Sequence, residues 1–144
     1  MQRAKVKKRS AGESVSPGRA KVKAKPPFPF VLEALASLRP EVRRMFSGFA
    51  VYVGNLLICM LRDNVKSPRD NGFWLVLAEG VDPESKALRR EFPSLRRIEL
   101  LGGVIGHWLL IPADGADFER EAGRACDLLL RRDARLGRVP KSRK

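Results

Sequence analysis

Two runs of this chain carry almost no polar interruption: Leu56–Leu61 reads LLICML and Phe73–Ala78 reads FWLVLA. A β-strand sends successive side chains to opposite faces, so a strand apolar at every position demands cover on both. Whatever the chain folds into must therefore supply two layers of cover around these strands.

The flanking patterns define the other elements. Val31, Leu35, Leu38, Val42 and Met45 recur at the spacing of one helical stripe. Pro40 interrupts it, so the spacing predicts a helix to about Leu38 and a short further turn to Phe46. Arg43 and Arg44 then stand at a helix C-terminus, where cations suit the dipole. Ser47-Gly48 reads as a turn. Phe49, Val51 and Val53 share one face of a strand, and Gly54-Asn55 is a two-residue turn into LLICML. A polar loop, Arg62–Gly72, leads to FWLVLA. Asp82 as N-cap, with Pro83 at the first helical position, predicts a second helix to about Phe92. Arg97–Leu101 and His107–Ile111 form a hairpin across Gly102-Gly103. Asp117 opens a last helix whose buried stripe is Phe118, Ala122, Ala125 and Leu129, ended by Arg131, Arg132 and Gly137. The expected fold is α+β, in the order α-β-β-β-α-β-β-α. It is a two-layer, mostly antiparallel five-stranded sheet with helices packed on it.

Three short helices cover one face of such a sheet more readily than two. Trp74, Val76, Trp108 and Leu110 are then expected on an open face, a candidate surface for a second copy or another protein. The alternative is that the helices wrap further round the sheet.

Charge is unevenly spread. Residues 1–25 hold nine Lys/Arg against one acid, net +8, and residues 131–144 hold seven against one, net +6, whereas 26–130 carry 13 basic and 14 acidic residues, net −1. The basicity belongs to the ends. Residues 1–26 read as a disordered basic tail, 27–137 as the folded domain and 138–144 as a basic C-terminal tail. Basic tails on a neutral body imply sequence-blind attraction to polyanions. The candidate contacts are Lys5, Lys7, Lys8, Arg9, Lys21, Lys23 and Lys25 at one end and Arg138, Lys141, Arg143 and Lys144 at the other. Solubility is the plainer role for the same residues. No aromatics are interleaved with these charges, so stacking on single-stranded bases is not indicated. Within the body, Arg43, Arg44, Lys66 and Arg69 would make a phosphate or acidic-partner site if they converge.

Other chemistry is thinly represented. Cys59 and Cys126 lie in apolar surroundings and read as buried thiols in a reducing cytoplasm. His107 is the one histidine, beside Trp108, and reads as a structural residue; no ligand set for a metal accompanies it. No serine sits in a nucleophile elbow, and Gly102–Gly106, GGVIG, lies between strands without dinucleotide-loop spacing. No catalytic residue, cofactor or metal is assigned. No apolar run is long enough to span a membrane, and the N-terminus has no apolar signal segment.

The stretch RRMFSGFAVYVGNLLICMLRD, Arg43–Asp63, resembles the opening of the TfoX N-terminal domain family, the Sxy-like competence regulators. Arg44, Met45, Phe46, Gly48, Tyr52 and Gly54 match its pattern, in which a helix ends in a basic-Met-Phe-Gly-Gly run before an aromatic-rich strand. The order of elements over about residues 28–130 also resembles the YjbR/MmcQ-like small α/β domains. Ser47 stands where the family has the first glycine, and Trp74–Leu77 lacks the lysine of its third strand. These departures, with the SPRDNG loop and the RRDARLGRVPK ending, are similar to a side branch rather than to a competence regulator proper. The resemblance implies a non-enzymatic binding or regulatory module. An alternative is a protein–protein adaptor, or a homodimeric accessory protein acting through an apolar sheet face, with tails serving solubility alone.

Overall fold

The computed structural model describes residues 25–100 and 106–140. Its centre is one antiparallel sheet of six strands: β1 (Glu41–Met45), β2 (Gly48–Val53), β3 (Leu56–Arg62), β4 (Gly72–Val76), β5 (Arg96–Arg97) and β6 (Trp108–Pro112). They lie in the order β1-β2-β3-β4-β6-β5. Three helices accompany them, α1 (Pro29–Ala34), α2 (Lys86–Glu91) and α3 (Phe118–Leu130). The α+β class and the antiparallel sheet are as the pattern predicts, with one strand more.

The extra strand is Glu41–Met45, expected as helix. Leu35 is followed by a single 3₁₀ turn, Ala36–Leu38, and Arg39 then takes a left-handed conformation at φ 55°. With Pro40 next, the helical ladder cannot continue. Val42 and Met45, three apart, fit a helical stripe; in the strand they face opposite ways. Val42 pairs with Val51, and Met45 packs into the cluster on the other face. The turn falls one residue earlier than expected, at Phe46-Ser47, with φ 52° and 62°. Two successive positive φ values match the type I′ geometry of a two-residue hairpin. Gly48 is therefore a strand residue, and a Cβ there would lie 2.7 Å from the Leu61 carbonyl oxygen.

Helix α2 starts later than Asp82. Ser85 is its N-cap, the hydroxyl accepting the Leu88 N–H at 3.3 Å, while the Asp82 carboxylate accepts the Glu84 N–H at 2.9 Å in the preceding loop. Helix α3 ends at Leu130, not at Gly137. The Asp133 N–H donates to the Leu128 carbonyl and the Arg132 N–H to the Leu129 carbonyl, with Arg132 left-handed at φ 59°. This is a Schellman close with arginine in the position that glycine usually fills. The expected Gly102-Gly103 turn lies outside the described residues.

The two faces of the sheet hold separate cores. On the first, Val51, Cys59, Leu61, Phe73, Leu75, Leu109 and Ile111 pack with Val31 and Leu35, with Leu88 and Phe92, and with the α3 stripe of Phe118, Ala122, Ala125 and Leu129. On the second, Ala50, Leu57, Met60, Trp74, Val76, Trp108 and Leu110 pack with Ile98, Phe46 and Leu100. Trp74, Val76 and Leu110 are 0% exposed and Trp108 3%, so the expected open face is not open. The Phe46 ring lies 6.0 Å from Trp74 in a stacked arrangement, and Trp108 meets Trp74 edge-on at 5.4 Å. The turn that carries Phe46 is held by the buried Arg62, whose guanidinium donates to the Phe46 carbonyl at 3.2 Å and to the Ser67 carbonyl at 2.8 Å.

A buried carboxylate fastens the rest of this cover. Asp70, 1% exposed, accepts the backbone N–H groups of Glu99 and Leu100 at 2.9 and 2.7 Å and the Arg96 guanidinium at 3.3 Å. The Asp70 backbone carbonyl accepts the Trp74 indole N–H at 2.8 Å. Residues 98–100 are thus pinned beside the tryptophans they cover.

The last described residues close the sheet at its other end. Leu136 bridges Leu77 and Arg138 bridges Leu57, with both backbone hydrogen bonds of the Leu57–Arg138 pair made. The Arg138 guanidinium also donates to the Leu77 carbonyl at 3.1 Å. Arg138, placed by charge in a tail, belongs to the fold. Among the described residues no helix is long and apolar enough to cross a membrane.

Candidate functional site

The body's candidate cations separate along strand geometry. Arg43 and Arg44 are neighbours in a strand and so leave opposite faces of the sheet. Arg43 pairs with Ala50, of the tryptophan face, and its guanidinium sits 4.5 Å over the Tyr52 ring and 3.3 Å from the Glu41 carboxylate. Arg44 pairs with Phe49 and sits 4.7 Å over that ring. Each guanidinium lies over an aromatic ring, a cation–π contact that orders the side chain. The hairpin register is what brings these pairs together, and moving the turn by one residue would undo both.

Arg69 is engaged elsewhere, 3.5 Å from Glu99 on the loop that Asp70 pins. Lys66 is exposed in the turn that Asn64 builds, where the Asn64 side-chain oxygen accepts the Lys66 N–H at 2.9 Å. Arg43, Arg44, Lys66 and Arg69 thus do not form one cluster. The convergence that does occur was not expected: Lys25 and Arg44 line one shallow pocket with Pro27, Ser47, Phe49, Asp63 and Asn64. Asp63 offsets one of its two positive charges. Lys5, Lys7, Lys8, Arg9, Lys21, Lys23, Lys141, Arg143 and Lys144 lie outside the described residues.

The titratable groups of the interior are structural in their surroundings. His107 is half-buried, and burial followed by the charge of Arg138 lowers its pKa from 6.5. Its backbone carbonyl accepts the Leu77 N–H at 2.8 Å. Among the described residues no carboxylate hydrogen-bonds the imidazole, and no three His, Cys, Asp or Glu residues are grouped to hold a metal ion. Both cysteines are free and buried; burial pushes the Cys126 thiol up to about 12 and the Cys59 thiol well above 9.0. Neither presents a thiolate at neutral pH.

The other acids are tied to the scaffold. Glu121, 1% exposed, accepts the Ser94 hydroxyl at 2.9 Å. Glu91 receives Arg124 and Arg135, and Asp133 receives the Arg135 Nε–H at 2.9 Å, which with its other Arg135 bonds lowers the Asp133 pKa. This chain of ion pairs fixes α2, α3 and the C-terminal segment to one another.

No family model matches the chain, and no curated protein or solved structure matches it either. The fold and the disposition of charge are therefore the grounds on which a function rests.

Proposed function

We propose that the protein is a non-enzymatic cytoplasmic binding or regulatory module, akin to the TfoX N-terminal domains its sequence resembles, that holds nucleic acid through its basic ends and the β1 arginine edge. The observation that carries this reading is the pocket shared by Lys25 and Arg44. The basic segment 1–25 joins the body where an ordered arginine already stands.

The other basic end joins at a different place. Arg138 pairs with Leu57 at the start of β3, while Asp63 and Asn64, beside Arg44, follow its end. Seven extended residues separate these points, about 20 Å, comparable to six base pairs of duplex. Two basic ends so spaced suit backbone contact along one duplex and read no sequence.

Fluorescence anisotropy with a labelled duplex tests this. Affinity should fall steeply between 50 and 200 mM salt, and deletion of residues 1–25 should remove most binding while the melting temperature holds. Arg44→Ala should lower the salt slope by about 1. Equal binding by full-length and truncated protein would sink the proposal.

A further inference from the structure

We infer that a groove at the C-terminal end of α3 binds a small amphipathic carboxylic acid, apolar tail inward and carboxylate on Arg132. The groove holds about 250 Å³ and is walled by Leu38, Val53, Leu56, Ile58, Leu129 and Leu136. An apolar cavity of about 150 Å³ is large enough to take benzene, so this one accommodates a medium-length acyl chain or a ring with a short arm. Leu56, on its wall, is 37% exposed. Leu56 is thus a groove-wall side chain that stays open to solvent.

The polar residues at the groove select the ligand's head group. Asp133 and Arg132 are the two charged residues that line it. Asp133 is already answered by Arg135, whose Nε and Nη2 both lie 2.9 Å from its oxygens. Arg132 is exposed and has no ion pair among the described residues. The groove therefore presents one uncompensated positive charge beside an apolar wall. The carbonyls of Leu128 and Leu129, whose partial negative charge would oppose an anion, are bonded to the Asp133 and Arg132 N–H groups.

Arg132 holds φ 59° at a helix close where glycine is the unstrained choice. This supplies a clean variant: Arg132→Gly removes the cation and relaxes the backbone.

Methyl NMR with octanoate, 1-octanol and acetate tests the assignment on the full chain. Octanoate should saturate, with shifts concentrated on Val53, Leu56, Ile58, Leu129 and Leu136, and acetate should leave these methyls unmoved. Arg132→Gly should weaken octanoate about tenfold, the loss of one charge-assisted contact, and leave 1-octanol unchanged. Leu56→Ser, at the groove wall, should weaken both octyl ligands together. Octanoate that leaves these methyls unmoved, or that binds Arg132→Gly as tightly as the parent, would overturn the inference.

Discussion

On one face of the sheet the cover is three helices; on the other it is a ring, a short pinned segment and a carboxylate. The helix face spreads its packing over α1, α2 and α3, so no single residue holds the layer in place. Among the described residues, the tryptophan face is covered by Phe46, Ile98 and Leu100, and these are held by two buried polar residues, Arg62 and Asp70. Polar groups at such positions are strong when every bond is made and costly when one is lost. The same degree of burial is reached by redundancy on one side and by a few fixed points on the other.

The sharpest way to break that contrast is Asp70→Ala. It leaves the Glu99 and Leu100 N–H groups without their acceptor, while the Arg96 guanidinium keeps the Arg97 and Arg69 carbonyls, and should cost about 1–3 kcal/mol for each N–H. Segment 98–100 should loosen first, so tryptophan emission should shift to the red below the denaturation midpoint. An unshifted spectrum with full stability would show that the carboxylate is not what holds the cover. Leu75→Ala, one residue from Trp74 but on the helix face, should cost about 2–5 kcal/mol as a cavity. Its loss should appear in a single cooperative transition with native tryptophan emission unchanged; a separate early transition would mean that the helix layer also rests on few points.

The smallest effect concerns His107, half-buried in the turn before β6 with its ring 5.6 Å from that of Trp108. Its native pKa is lowered by burial and by Arg138, so the unfolded chain takes up the proton first as pH falls. The associated stability is complete above pH 6.5 and is lost as pH drops through the lowered native value. His107→Gln should flatten the stability profile in that window; an unchanged slope would place the titration elsewhere.

The helix face was legible in the sequence because α1 and α3 repeat at helical spacing, and the strands LLICML and FWLVLA declare themselves by length and composition. The tryptophan face was not. Its cover comes from Phe46 in a turn and from Ile98 and Leu100 after a two-residue strand, segments too short to show a period. Asp70 reads as one more polar residue in a loop of polar residues; only the backbone N–H groups that converge on it reveal its role. The β1 strand is hidden because Val42 and Met45, three apart, satisfy a helical stripe, while the left-handed turn at Arg39 leaves little local trace. For the candidate site, the basic ends are plain from charge, and the Arg43-Arg44 pair stands out in the body. That they face apart follows from a hairpin register set by a phenylalanine and a serine at positive φ, residues that seldom announce such a turn.

The bridges from Leu136 to Leu77 and from Arg138 to Leu57 join positions far apart in the chain. A ribosome delivers β3 and β4 long before it delivers the segment that closes their ends. Until residues 135–138 emerge, the backbone groups of Leu57, the Val76 carbonyl and the Ala78 N–H at that end face water or a chaperone. Such long-range closure makes folding slow relative to a helical bundle of equal size and defers its completion until that segment has been made. A truncation just before Leu136 would leave every helix and strand present and the molecule unfinished.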